Sequence, residues 1–481
     1  MKEQAPIFTK KLFSVIILIV LILVALSTSI YLLAKPQQRD VQQTSAGQAG
    51  LGTDEKKSIT FAFRKVGTDE DMENSVIEYN NSVESPVEVK MLKIPDDKYD
   101  ETLNMYLTSG EAPDVFEIGS EWLDTYVTKD WVRDLSNYCS EEFLSAFPGW
   151  TDRFMHEKYS AEGLYSLPAS QTTIRLVYNR SLFEMAGLDP DSPPETLDEL
   201  KSYALKISKT EIGNKKYGFA LSAGDGRKCF EQFMESANTC NGVYYYDFRN
   251  GQYDLGVYEK WLQTIRQMKE NESLFPGETI LKGSNALMQF REGNIGMMYM
   301  TSASLKMLAG TDGTDSQPDW DTAMPPAFDR STAGKGKVSI IPSTFYCVSN
   351  TSGNIEESVG FWKYLYSYEH MGEMFRNGNA IPVMKEVYSD TAYKSKINGM
   401  DNFLPGNQDS VFPVAPAIIN DWSRVESYME AIEGTNTVGQ VLKNETENLN
   451  YQFNLIIDGG LVNSNDYAHP DFDWLDPLKR Q

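Results

Sequence analysis

Leu12 to Ala34 reads LFSVIILIVLILVALSTSIYLLA, 23 residues without a charge. As a helix this run is ~34 Å long at ~1.5 Å per residue, enough to cross the ~30 Å hydrocarbon layer of a bilayer. Lys2, Lys10 and Lys11 precede it, and so short a tail is easily retained in the cytoplasm. The expected layout is a cytoplasmic tail (1–11), a single-pass transmembrane signal anchor (12–34) and a large extracellular body. Lys35 and Arg39 follow the run and keep the charge bias modest. The competing reading is a secretory signal cleaved near Ala25-Leu26-Ser27, but the apolar run continues through Ile30-Tyr31-Leu32-Leu33, past a usual signal core. On either reading the bulk of the chain is extracytoplasmic. No cysteine lies nearby, which excludes a lipidated-cysteine anchor.

Charge divides the chain in the same way. Residues 1–57 hold seven Lys/Arg and four Asp/Glu, a balance of +3, so with a net charge of −24 overall, residues 58–481 carry −27. A body this acidic lacks the basic face that displaces counterions from phosphate, and nucleic acid is excluded as a partner. Residues 35–57 are rich in Gln, Gly, Ala, Ser and Thr and read as a flexible linker, ~26 Å across on average and up to ~75 Å when stretched. The remainder, with 41% hydrophobic and 12% aromatic residues in the whole chain, has the material for folded domains with full cores. The four cysteines show no zinc-type spacing. Cys229 and Cys240 are close enough in sequence to bridge, if their Cα atoms approach within ~7 Å; the alternative is two small buried side chains.

Periodicity places strands at Ser58–Phe63, Val87–Leu92 and Asp114–Ile118, with helices at 69–82 and 97–109 between them. Alternation at this spacing implies parallel strands joined by crossover helices. Tyr165–Pro168 and Leu176–Asn179 are extended. A second stretch follows, with a helix at Leu197–Ser208, helices across 228–238 and 257–270, and a strand at Ile295–Met300. Ile340–Ser349 is extended again, 356–376 reads as one long helix, and 416–432 and 437–454 are helical. Two α/β lobes joined by extended crossings imply a cleft between them, where ligands commonly bind.

Several segments then carry a resemblance. Gly110-Glu111-Ala112-Pro113-Asp114-Val115-Phe116 leads into the third strand, and Gly163-Leu164-Tyr165-Ser166-Leu167-Pro168 stands shortly before Tyr178-Asn179. Ser181 to Leu188, Pro194 to Leu200, Asn250 to Asp254 and Phe290-Arg291-Glu292-Gly293-Asn294-Ile295-Gly296-Met297 follow in order. Together, over roughly residues 58–460, they resemble the extracellular solute-binding proteins of the maltose-binding type that serve ABC importers. The resemblance implies a two-lobe, periplasmic-binding-protein-like α/β fold with an interlobe cleft. The lobes are expected at 58–168 with 337–378, and at 169–336 with 379–481. It implies capture of a carbohydrate, an oligosaccharide in the first place, and delivery to ABC permease subunits, with no cofactor and no metal. Where several sugar binders place an aromatic after the strand, Thr301-Ser302-Ala303-Ser304 stand here.

A sugar offers apolar C–H faces and a rim of hydroxyls, so its site needs aromatic platforms and hydrogen-bonding side chains. In open α/β sheets such groups lie just beyond the carboxyl ends of strands. That rule selects Arg64 after the first strand, Trp122 after the third, Gln171 and Thr172 in the crossing, and Thr301 after the strand ending at Met300. Arg227 opens a helix, and Trp422 sits where maltose-type binders carry a stacking tryptophan. Tyr244, Tyr245 and Tyr246 cannot share one ligand face, because adjacent strand residues alternate, and they read as a strand before the Asn250-Gly251 turn. An extracellular glycoside hydrolase, or a ligand-sensing receptor coupled to a kinase, are the alternatives. With 68 Asp/Glu, carboxylate pairs carry little information, and the three histidines sit in no catalytic motif. A binder is therefore expected, not an enzyme.

Overall fold

The computed structural model describes residues 57–66, 70–82, 87–119, 122–151, 163–210, 213–224, 227–277, 281–309, 318–416, 424–460 and 463–479. The apolar run at 12–34 lies outside them; among the described residues no helix is long and apolar enough to cross a membrane. In chain order the strands are β1 (Lys57–Lys65), β2 (Val87–Pro95), β3 (Val115–Ile118), β4 (Pro168–Thr172), β5 (Ile174–Asn179), β6 (Tyr217–Ala220) and β7 (Tyr246–Asp247). They continue with β8 (Gln252–Tyr253), β9 (Ile295–Thr301), β10 (Trp320–Ala323), β11 (Val338–Ser339), β12 (Ile341–Val348), β13 (Ile381–Pro382) and β14 (Asp409–Ser410).

Two larger sheets organise the body. The first runs β13-β4-β12-β3-β1-β2 and the second β10-β5-β9-β6. In the first, β1 is parallel to β2 and β3, as the strand–helix alternation requires, while β12 is antiparallel to β3 and β4. In the second, β9 is parallel to β6 and antiparallel to β5. Each sheet has its own core. Phe61, Phe116, Trp362 and Tyr366 are buried around the first, and the Trp362 indole N–H donates to the Tyr346 carbonyl at 2.8 Å. Tyr258, Trp261 and Phe219 are buried around the second. The first sheet takes in residues on both sides of 168 and reaches past 378: β4 pairs with β12, and Ile381–Pro382 joins its edge.

Local chemistry explains where the helices begin and end. Leu197–Ser208 starts in a capping box, with Thr196 and Glu199 satisfying each other's backbone N–H groups, and buries Leu197, Leu200, Ala204 and Ile207. Tyr99–Ser109 buries Tyr99, Leu103 and Leu107, one face at i, i+4 and i+8, and ends at Gly110 with φ +77°. The single helix expected over 356–376 is instead two, Ile355–Leu365 and Tyr368–Arg376. Ser367 breaks it by taking a non-helical conformation and accepting from the His370 N–H, a new N-cap that outweighs the continuous apolar pattern. The tyrosine run meets the expectation only in part: β7 pairs with β8 across the Asn250-Gly251 turn, but of the three tyrosines only Tyr246 lies in the strand, and the irregular backbone before it lets the Tyr244 and Tyr245 rings come within 4.3 Å of each other. Cys240 is a free thiol, so it forms no bridge with Cys229.

Candidate functional site

The lobes are joined by very short crossings. A single residue, Thr173, separates β4 of the first sheet from β5 of the second. Its hydroxyl donates to the Phe403 carbonyl at 2.5 Å, and its backbone is paired with Ser302 in both directions. Beside it Arg175, buried in β5, grips Asp409 with both terminal nitrogens at 2.8 Å. Its remaining donors go to the carbonyls of Ile174, Asn402 and Leu404, so the guanidinium is fully satisfied.

The contacts of Lys306 show how the strand ends are arranged. Lys306 follows β9 of the second sheet, and Asp71 follows β1 of the first at the start of the helix Asp71–Asn81. The Lys306 ammonium lies 3.4 Å from Asp71 Oδ2 and 2.7 Å from Asn379 Oδ1, while Asn377 and Asn379 donate to Asp71 at 3.2 and 2.5 Å. The segments that follow the carboxyl ends of β1 and β9 therefore meet across the two lobes, on the side where α/β sheets bind ligands.

On the first-lobe side, β1 and β3 end side by side and bring Arg64 to Glu117. The Arg64 backbone N–H donates to Glu117 Oε2 at 3.1 Å, and its side chain meets Glu117, Asp96 and Asp100 at 3.5, 3.2 and 2.6 Å while lying over the Tyr99 ring at 4.4 Å. Burial pushes the Glu117 carboxyl up to about 7, against the opposing pull of the Arg64 backbone N–H and guanidinium. Arg64 is thus held in an ionic cluster rather than extended. Trp122 is half-buried, 6.0 Å from the Tyr126 ring and tilted by 30°, which leaves part of its indole accessible.

The raised Glu117 pKa has a measurable consequence. Between pH 4.5, the ordinary carboxyl value, and about 7, the folded state binds more protons than the unfolded one, so this group stabilises progressively as pH falls through that window. The buried His370 works in the other direction, its pKa lowered to about 4 from 6.5 by burial. Glu117→Gln should therefore be compared with the parent protein at each pH by urea unfolding. The variant is expected to gain on the parent by on the order of 3 kcal/mol between pH 4.5 and 8, from ~1.4 kcal/mol per pKa unit. A difference that is flat in pH would contradict this origin.

At the crossing, Gln171 faces away from Ser170 and Thr172 and is buried, donating from Nε2 to the Pro382 carbonyl at 2.8 Å, a strut across the β4–β13 edge. Thr172 lies 3.3 Å from the Ser343 hydroxyl, and Ser170 joins the same group of hydroxyls through Ser343 and Thr344. Thr344 holds φ +53°, a conformation costly for a β-branched residue. Thr301 ends β9 with its hydroxyl 3.3 Å from that of Ser304. Arg227 begins the helix Arg227–Asn238, which follows β6; its side chain lies outside what the structure describes, as does all of Trp422.

The helix Arg424–Glu433, which follows in sequence, has a pinned start. Arg424 forks onto Glu235 at 2.7 and 3.0 Å, stacks on Tyr245 at 3.9 Å, and approaches Glu231 at 3.6 Å. Glu231 accepts the Val425 N–H at 2.8 Å, and the Tyr428 hydroxyl donates to Glu235 at 2.8 Å. Glu231 and Glu235 were missed from sequence; their i, i+4 spacing, each next to the apolar i, i+4 pair Phe230 and Met234, was the available signal. The structure does not bring all the sequence-selected residues into one described cluster. Arg64 and Trp122 belong to the first lobe, Gln171 and Thr172 to the crossing, and Thr301 to the end of β9.

One pair invites a catalytic reading, since Ser75 Oγ lies 2.6 Å from His370 Nδ1. Both are buried, Ser75 is also bonded to the Tyr364 hydroxyl, and burial holds the imidazole neutral, so the pair is packing chemistry behind the first sheet.

Residues 76–400 match the bacterial extracellular solute-binding protein family. The chain belongs to that family. Among its relatives are a binding protein of Brucella abortus (strain 2308), 24% identical over 293 residues that make up 61% of this chain and 68% of the relative. The galactooligosaccharide-binding protein of Bacillus subtilis (strain 168) is 24% identical over 323 residues, 64% of this chain and 69% of the relative. Among solved structures, the cyclic alpha-maltosyl-1,6-maltose binding protein of Arthrobacter globiformis superposes with a TM-score of 0.67 at 19% identity, covering 82% of this chain and 98% of that one. A sugar-binding protein of Xanthomonas citri gives 0.65 at 16% identity, covering 85% and 100%. These likenesses establish the two-lobe fold of this family member, and its relatives are binding proteins rather than enzymes.

Proposed function

We propose that this family member captures a carbohydrate, an oligosaccharide in the first place, between its lobes and presents the closed form to an ABC import permease. The apolar segment 12–34 would hold it at the cell surface. The observation that carries the reading is the polar contact of Lys306 with Asp71, between the segments that follow β9 and β1 in a chain of this family. Support also comes from the relatives, two of which are named for galactooligosaccharide and for a cyclic maltosyl maltose. In this reading Trp122 and Trp422 are the stacking platforms, and Thr172, Arg227 and Thr301 meet ligand hydroxyls. Arg64, held by Asp96, Asp100 and Glu117, and Gln171, bonded to the Pro382 carbonyl, shape the site from the first lobe and the crossing rather than bond the ligand directly. Ligand touching both lobes stabilises the closed arrangement by its differential affinity.

Titration of the intrinsic tryptophan fluorescence against a panel of oligosaccharides tests the reading, with a quench or shift expected for at least one. Trp422→Ala should then weaken that ligand by about 1–3 kcal/mol, in line with aromatic contact energies. A silent panel would remove the carbohydrate assignment. An unchanged affinity would remove Trp422 from the site.

A further inference from the structure

The last described segment, 463–479, belongs to both lobes at once. Its first half is seated in the second lobe. The His469 N–H donates to the Phe248 carbonyl at 2.6 Å, and Arg249 Nε donates to the Phe472 carbonyl at 2.9 Å. The Phe472 side chain, 5% exposed, sits in the second core, with ring centroids 4.9 Å from both Phe248 and Trp474. Trp474 in turn packs 6.0 Å from Phe412, two residues beyond β14. Four residues later the attachment changes sides. Leu478, partly buried, packs against the first core, and its neighbour in sequence, Pro477, is buried. The seat is close-fitting: Gly149 has φ +76°, and a Cβ placed on it would come within 2.7 Å of Leu478 Cδ1. The positive φ is what favours glycine here, and any side chain would also push the Leu478 methyl aside.

We infer that this segment is a strap between the lobes that limits how far they separate. The four steps from Trp474 to Leu478 span at most ~14 Å when fully extended. They are contracted into turns, with the Leu475 N–H donating to Asp473 Oδ1, Asp476 N–H to the Asp473 carbonyl and Lys479 N–H to the Asp476 carbonyl. Separation of the lobes along this line must therefore either melt those turns or pull Leu478 from Gly149. The anchors differ in depth, because Phe472 is almost fully buried in an aromatic cluster with Phe248 and Trp474, whereas Leu478 is only partly buried against the first core. Leu478 is the end that releases first.

The experiment uses the full chain in detergent with no ligand added, so its outcome does not depend on the carbohydrate reading. Dyes carried by a non-natural amino acid at the exposed positions Met105, on the first lobe, and Tyr451, on the second, report the interlobe distance by single-molecule energy transfer. Leu478→Asp, and a chain ending after Trp474, should each raise the population with altered interlobe distance by about fivefold, the effect of losing a partly buried aliphatic side chain. Leu475→Asp, at a position 49% exposed in the same segment, should leave the distribution unchanged. Identical distributions for the parent, Leu478→Asp and the shortened chain would overturn the strap. So would an equal response to Leu475→Asp, which would assign the effect to charge. Near-ultraviolet circular dichroism separates opening from unfolding, and loss of both cores in both Leu478 variants would make the segment part of the fold and refute a strap.

Discussion

Asp409→Ala is expected to destabilise the protein by about 3–5 kcal/mol, the largest effect of any single substitution at the crossing between lobes. The carboxylate has side-chain exposure of 2% and its partner Arg175 6%, so water cannot take over when one is removed. Arg175 would keep three carbonyl partners but lose the only anion paired with it among the described residues. Asp409 also accepts the Gly406 N–H at 2.8 Å, so the turn leading into β14 would loosen with it. Urea unfolding of the parent and variant at neutral pH measures the loss. A double variant, Arg175→Met with Asp409→Leu, should lose much less than Asp409→Ala, because no uncompensated charge remains in the interior. A cost below about 1 kcal/mol for Asp409→Ala would show that solvent reaches the pair.

Glu235→Ala is the second large effect, about 3–5 kcal/mol for the same reason, with a functional consequence that Asp409 does not share. Glu235 is 2% exposed and anchors Arg424 and Tyr428, while burial pushes its carboxyl up against the counter-pull of Arg424. Removing it frees the start of the helix Arg424–Glu433, and with it the segment that carries Trp422. The variant should therefore lose ligand affinity at temperatures where circular dichroism still shows it folded. Glu235→Gln, which keeps the acceptor for Tyr428 but not the charge, should fall between the parent and Glu235→Ala in both measurements. Full ligand affinity in Glu235→Ala would separate this pin from the binding site.

Much of the fold was legible because its determinants are local. Thr196 and Glu199 mark the helix start at Leu197, and the alternation in β1 and the spacing of Tyr99, Leu103 and Leu107 need no distant partner. The break at Ser367 was harder, since an apolar stripe runs straight through it and a cap competes with the pattern. The site was legible only as positions. Strand ends pointed to Arg64, but the companions that commit it, namely Glu117, Asp96, Asp100 and Tyr99, depend on how β3, β2 and the following helix fold back. Gln171 illustrates the same limit: its place in the crossing was evident, and its bond to Pro382 was not.

The family, the α/β class, the acidity of the body and the apolar segment 12–34 can all be read from the residues in order, because each is carried by composition or by succession along the chain. The meetings of Arg175 with Asp409, Arg424 with Glu235, Lys306 with Asp71 and Leu478 with Gly149 emerge from the folded chain alone. These pairs are separated by nearly two hundred residues or more. An ion pair or a packing contact across such a distance leaves no periodic trace, since charge and bulk at one position are compatible with many partners until the two lobes bring a particular one within reach.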